Sequence, residues 1–196
     1  MMNKKYTGYI IGGLVVIMGI FLIATYNSLV KKQEQVKLQW NEVQNAYQRR
    51  LSLIPNLVNV VKGQADFEQT TLRLIAEARA KAASVNISTD QVNADQYNQQ
   101  RSAQDDLASA ANNLVITIEK YPALKGAAAF AGLQTQLEGT EQRIKFARKD
   151  FNAAIAAYNK SVRGFPVSMV AGLMGFHTME GFQADTGTDR STEIKF

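Results

Sequence analysis

The stretch that decides the fold is residues 121–162, YPALKGAAAFAGLQTQLEGTEQRIKFARKDFNAAIAAYNKSV. After Tyr121-Pro122-Ala123-Leu124-Lys125, a long helix is expected from about Phe130. Its apolar residues are Phe130, Leu133, Leu137, Ile144, Ala147, Phe151, Ile155, Tyr158 and Val162. They recur mostly at steps of three or four, with one step of seven across the polar pair Thr140/Glu141. That period builds one buried stripe on an otherwise polar helix. Such a helix cannot bury its stripe alone, so other segments must wrap it.

Upstream, Tyr26, Leu29, Gln33, Val36, Trp40, Val43, Tyr47, Leu51 and Ile54 follow the same spacing. The single tryptophan, Trp40, lies on this stripe and reads as a core anchor. Pro55 lacks an N–H and disfavours the helical conformation at Ile54. Two readings compete here. A turn at Ser52–Pro55 gives helices of about 28–52 and 55–83. A proline inside the helix, with the turn delayed to Gly63, gives about 28–62 and 65–83. The first makes neighbouring helices similar in length and is preferred. The second helix then uses Val58, Val61, Phe67, Leu74, Ile75 and Ala78.

Residues 84–90 are polar, and Ser88-x-x-Gln91 has the form of a capping box that opens a third helix. The first half of that helix, Gln91 to Gln104, is almost wholly polar and is expected to be exposed or frayed. Leu107, Ala111, Leu114, Ile118 and Tyr121 then form a strong stripe that Pro122 stops. A short connection with a helical turn leads to the last helix, which Gly164-Phe165-Pro166 ends.

At the amino end, Tyr6 to Val30 carries no charge and its centre is almost entirely apolar. About 20 such residues cross a ~30 Å hydrocarbon layer. Tyr6, Tyr9 and Tyr26 sit where interfacial aromatics belong, with lysines outside both ends. A cleaved signal peptide competes with this reading. No small-x-small cleavage site ends the run, and the bulky Tyr26 follows Ala24-Thr25, so an uncleaved span is expected. Lys4 and Lys5 face Lys31, Lys32 and Lys37, which nearly balances the positive-inside rule. Read as a signal anchor, Lys4-Lys5 would put the folded part outside the cytoplasm. Gly8-x-x-x-Gly12 has the form of a weak helix-pairing face.

Four helices with short links pack up-down-up-down. The fold class expected is all-α: an antiparallel four-helix bundle with long helices, preceded by one N-terminal transmembrane helix. The divisions are 1–30 (anchor), 31–165 (bundle), 166–182 (apolar Met/Gly-rich segment) and 183–196 (polar disordered tail). If the first helix leaves a membrane, the fourth returns toward it and brings Phe165 to Phe182 near the lipid surface. That segment reads either as a strap over the bundle end or as an interfacial or Met-rich partner surface.

Composition limits the chemistry. The 196 residues include no cysteine and one histidine, His177. Disulfides, thiolate metal sites and cysteine nucleophiles are therefore excluded, and a multi-histidine metal site has no ligands. The net charge of +5 comes from 22 basic and 17 acidic residues, interspersed as on a solvated surface rather than a nucleic-acid stripe. Phosphate loops, nucleophile elbows and zinc motifs are absent, and so are the Glu-x-x-His units of a di-metal bundle. Glu68, Arg79, Glu141 and Arg148 fall near the stripes and read as buried or half-buried ion pairs. Arg49-Arg50 and Lys31-Lys32 read as solvated or interface-anchoring bases, with weak attraction to anionic lipid as the functional alternative. Asn27, Asn152 and Asn159 each follow a stripe aromatic and read as register-setting edge residues, which are kept at some cost in stability. On that reading Asn152→Leu would keep or raise thermal stability.

Several pieces carry a family resemblance: Tyr26-Asn27-x-x-Val30, Arg50-x-x-Leu53-Ile54-Pro55-Asn56-Leu57-Val58, Val61-Lys62-Gly63 and Glu119-x-Tyr121-Pro122-x-Leu124. Leu133-Gln134, Leu137-x-x-Thr140-Glu141, Ala147-Arg148, Phe151-Asn152-x-x-Ile155, Tyr158-Asn159-x-x-Val162 and Phe165-Pro166 follow in order. With them the chain resembles the LemA family of bacterial membrane proteins over nearly its whole length, to about Phe182. The resemblance implies an N-terminal transmembrane helix, an antiparallel helical bundle and location in the bacterial inner membrane. It brings no catalytic residues, and some relatives are associated with membrane organisation, including magnetosome membranes. Phe67 stands where a histidine is expected and Gln64 where a tyrosine is, which weakens any case for chemistry at that turn.

The functional expectation is a non-enzymatic scaffold or adaptor tethered to the lipid bilayer and engaging a protein partner; the alternative is a structural, membrane-organising role through self-association and lipid contact. Catalytic, cofactor and metal residues are expected to be none, with no nucleic acid and no small-molecule substrate. Topology is checked with Thr186→Cys, the sole thiol in the chain. An impermeant maleimide should label it in intact cells as well as lysed ones; labelling confined to lysed cells would place the folded part inside.

Overall fold

The computed structural model describes residues 4–62, 67–85, 87, 94–125 and 128–182. Six helices occur among them: α1 Lys4–Val61, α2 Gln69–Ser84, α3 Ala94–Ile118, α4 Pro122–Lys125, α5 Ala128–Arg163 and α6 Ser168–Ala171. The described residues contain no strand. Gly63, the Ser88-x-x-Gln91 capping box and the 183–196 tail lie outside them.

The chain divides into two compact units. One comprises Met1–Gln39 with Ala153–Met179, the other Trp40–Asn152 with Glu180–Phe196.

In the first unit, the early part of α1 is one helix long and apolar enough to cross a membrane. Ile10, Ile11, Leu14, Val15, Val16, Ile17, Met18, Ile20 and Ile23 all expose their side chains. A contiguous apolar surface of that extent is not left to water; it marks a membrane or a partner. Leu29, Val36, Ile155, Tyr158 and Val162 are buried in this unit. After α5, the turns that follow α6 close in a Schellman motif. Gly175 has φ +82°, the Phe176 N–H donates to the Ala171 carbonyl (3.0 Å) and the Gly175 N–H to that of Gly172 (3.2 Å). Glycine takes the left-handed position without a Cβ penalty, while Phe176 folds back and is buried along with Ala171.

The second unit corrects the expected turn. α1 does not stop at Ser52–Pro55; it continues through Pro55 to Val61. Trp40, Val43, Tyr47, Arg50, Ile54, Leu57 and Val61 are all buried at alternating steps of three and four. The stripe therefore keeps its phase across the proline, and breaking the helix there would throw Leu57 and Val61 out of the core. A mid-helix proline costs about 3 kcal/mol, partly because the carbonyl four residues earlier loses its donor. That carbonyl is Leu51 O, and Arg79 Nε of α2 donates to it at 3.3 Å. Arg79 thus supplies the bond Pro55 withholds, instead of entering the expected ion pair.

α3 brings a second correction. Its first half is neither exposed nor frayed from Ala94 onward: Tyr97, Gln100, Ala103 and Gln104 are buried. They continue the stripe of Leu107, Ala111, Leu114 and Ile118 in phase. The polar residues go inside because the core offers one of them a charged donor, described below. Phe130, Leu137, Thr140, Ile144 and Phe151 of α5 complete this interior. Thr140 satisfies its hydroxyl on the Gln136 carbonyl (2.8 Å).

Arg79→Ala should lower stability by about 1 kcal/mol, the value of one hydrogen bond. In a Pro55→Ala background the helix regains its own donor to Leu51 O, so the same change should cost much less. Equal costs in both backgrounds, read from thermal denaturation, would contradict this role.

Candidate functional site

Among the described residues of the second unit, Arg50 is a buried charge, 2 % exposed. It sits on α1 three residues after Tyr47 and four before Ile54, in a core position of the stripe. Its Nε donates to Glu141 Oε1 of α5 at 2.9 Å, and Nη2 donates to Oε2 of the same carboxylate. Nη1 donates to the Gln104 carbonyl (2.8 Å) and to Gln104 Oε1 (3.2 Å) on α3. A planar guanidinium paired bidentately with a carboxylate is among the strongest and most directional protein contacts. One side chain of α1 thereby fixes one residue of α3 and one of α5. Beside Arg49, Arg50 is expected as a solvated base; its place in the three-four pattern is the signal that it goes inside. Glu141 does enter an ion pair, as expected.

The other residues near the stripes divide. Arg148 lies 3.6 Å from Asp105 and stacks its guanidinium 4.9 Å from the centre of the Phe182 ring. Glu68 is exposed and accepts a bond from Thr71 Oγ1 (3.0 Å).

Around Trp40 the core is aromatic. Its ring packs edge-on to Tyr97 (centroids 4.6 Å apart) and tilted to Phe151 (5.3 Å) and Phe182 (6.0 Å). Trp40 is buried as an anchor, as expected. Burial pushes Tyr47 up to about 12, against the opposing pull of Arg148 and Arg50, and it pushes Tyr97 up to about 12 as well. Both phenols stay neutral at ordinary pH and act as packing surface, not as acids or bases. Three buried polar atoms have no protein partner among the described residues: Trp40 Nε1, Tyr47 Oη and Gln100 Oε1. Tyr47 and Gln100 also line a cavity of about 160 Å³ with Gln44, Gln48 and Gln104. Its polar lining suits water-sized molecules.

The asparagines are bound differently from the expectation. Asn152 Nδ2 donates to the Phe182 carbonyl (3.1 Å) and its Oδ1 accepts the Phe182 N–H (3.0 Å). In the other unit Asn159 treats Met179 alike, donating to its carbonyl (2.7 Å) and accepting its N–H (2.9 Å). Each amide completes both backbone bonds of one residue, as a neighbouring strand would. Asn27 is exposed. His177 is exposed too, and the described residues hold no cluster of His, Asp and Glu fit to bind a metal ion.

A family model described as the LemA family matches residues 39–196. Among curated proteins, the magnetosome protein MamQ of Magnetospirillum gryphiswaldense is 23 % identical over 185 residues, covering 86 % of this chain and 68 % of the relative. MamQ 2 of Paramagnetospirillum magneticum is 24 % identical with the same coverage. Protein LemA of Metamycoplasma hominis is 24 % identical over 173 residues, covering 87 % of this chain and 75 % of its own length.

Two predictions follow from the geometry. The Glu141 side chain is 41 % exposed whereas Arg50 is 2 %. Glu141→Ala therefore strands a buried cation and should cost about 3 kcal/mol, while Arg50→Met leaves a carboxylate that water can reach and should cost less; the reverse order in thermal melts would refute the asymmetry. Asn152→Leu should lower the melting temperature, because it leaves the Phe182 N–H and carbonyl unbonded at about 1 kcal/mol or more; an unchanged or raised value would restore the register reading.

Proposed function

This chain belongs to the LemA family, and on that footing we propose that it is a membrane-tethered, non-enzymatic scaffold or adaptor. The apolar part of α1 crosses the bacterial inner membrane once, uncleaved, and the folded part lies outside the cytoplasm. Within the second unit, α1, α2, α3 and α5 make an antiparallel four-helix bundle. The pairings support that order: Trp40 meets Tyr97 and Phe151, while Arg50 meets Gln104 and Glu141. Rising α1 numbers thus pair with rising α3 and falling α5 numbers. Lys81 pairs with Asp106 and Phe67 with Tyr121, so α2 runs against α3.

The observation that carries the non-enzymatic reading is the use of the buried charge. All three guanidinium nitrogens of Arg50 are bonded to Glu141 and Gln104, so this ionic group holds helices together. An active site keeps such a group poised in a cleft. The adaptor role needs outward-facing anchors, and Leu74, Ile116 and Phe146 are large apolar residues exposed on α2, α3 and α5. Such residues supply contact area to a protein partner.

A structural, membrane-organising role through self-association and lipid contact is the second reading. It is favoured by relatives named as magnetosome proteins.

Affinity capture of the full chain in mild detergent separates them. A stoichiometric foreign protein that is lost from an Ile116→Asp/Phe146→Asp variant of unchanged melting temperature is the expected result. Recovery of the chain alone, as an oligomer, would overturn the adaptor in favour of the organiser.

A further inference from the structure

Within the first unit, α1 and the end of α5 border a groove of about 640 Å³, a size typical of ligand sites. Its two ends differ in chemistry. Lys32 donates to Ser161 Oγ, and Lys160 lies beside them, making one end basic and hydroxylic. Toward the amino end of α1 and past the end of α5, the lining turns apolar with Phe21, Ala24 and Phe165. Among the described residues no acidic one lines the groove, and neither lysine has a carboxylate partner. Phe21 and Ala24 belong to the apolar run that crosses the membrane, so the apolar end is continuous with the span.

The segment after the groove points the same way. Phe165, Met169 and Leu173 are 84 %, 69 % and 89 % exposed, at steps of four. Ala171 and Phe176 are buried on the other side and fixed by the Schellman closure at Gly175. A short turn held rigidly with its large apolar residues outward is stable against lipid and costly in water.

We propose that this groove seats one anionic phospholipid of the leaflet into which α1 emerges. The phosphate lies at Lys32 and Lys160, and an acyl chain lies along Phe21, Ala24 and Phe165. Phe165, Met169 and Leu173 sit at the boundary between headgroups and chains. A basic pocket beside a span recognises the headgroup charge, and the apolar wall admits the chain. The proposal rests on the reading that α1 crosses the bilayer.

The test uses the full chain. Alkaline carbonate extraction of membranes comes first: retention in the pellet supports the span, and release into the supernatant overturns the span and the lipid site together. The purified protein is then delipidated in detergent and titrated with phosphatidylglycerol or phosphatidylcholine under native mass spectrometry. One phosphatidylglycerol should bind saturably and in preference to phosphatidylcholine. Lys32→Gln/Lys160→Gln should weaken it roughly tenfold or more, while Lys31→Gln/Arg163→Gln, which removes equal charge outside the groove, should leave it within about twofold. Equal weakening by both pairs, no weakening by either, or no lipid preference would overturn the lipid site while leaving the span intact.

Discussion

One buried guanidinium governs the second unit. Taking Arg50 out of water costs several kcal/mol, and the interior returns that only if its guanidinium nitrogens find acceptors of good geometry. The requirement reaches well beyond one residue. It keeps Glu141 at the edge of the α5 stripe, where it can reach inward while part of its carboxylate stays wet. It also explains why α3 turns Gln104 into the core, with both its backbone and side-chain oxygens facing Arg50. Apolar packing tolerates sliding of one helix along another by a turn; a bidentate pair with two further acceptors does not. Leu51, Ile54, Leu107 and Leu137, which belong to one core cluster, are thereby packed in a single register.

Proline 55 shows a related economy. The heptad phase from Arg50 through Ile54, Leu57 and Val61 rewards a continuous helix, and the local preference of Pro55 opposes it. Packing wins because the cost is shared with α2, whose Arg79 covers the stranded carbonyl. The arginines expected to form surface or near-stripe ion pairs are thus spent unevenly: Arg50 on a carboxylate and a glutamine, Arg79 on a backbone oxygen, Arg148 on Asp105 and an aromatic face.

The apolar period was enough to read the helical class, the stripes of α1 and α5, the anchor role of Trp40 and the membrane-compatible run at the amino end. What escaped it was polar. Gln100 and Gln104 occupy core positions of α3, yet a hydropathy pattern scores them as surface; only their phase with Leu107 and Ala111 could have placed them. Arg50 was hidden by its neighbour Arg49, although it is in phase with Tyr47 and Ile54. The turn at Ser52–Pro55 was favoured by equalising helix lengths, a weaker constraint than keeping Leu57 and Val61 buried. The amide clamps of Asn152 and Asn159 could not be read from α5 alone, since their partners are backbone groups thirty and twenty positions on, respectively. A heptad-spaced pair of asparagines beside aromatics was visible; that each bonds both backbone groups of one distant residue was not.

Arg50 and Glu141 act as one unit, and a double-mutant cycle measures that directly. Arg50→Met, Glu141→Leu and the double variant would be melted under identical detergent conditions. The double variant should be more stable than Glu141→Leu alone, with a coupling of about 2 kcal/mol or more, because removing both charges leaves none stranded. Additive effects of the two substitutions would mean that the pair does not hold the helices, and the central role given to Arg50 would fail.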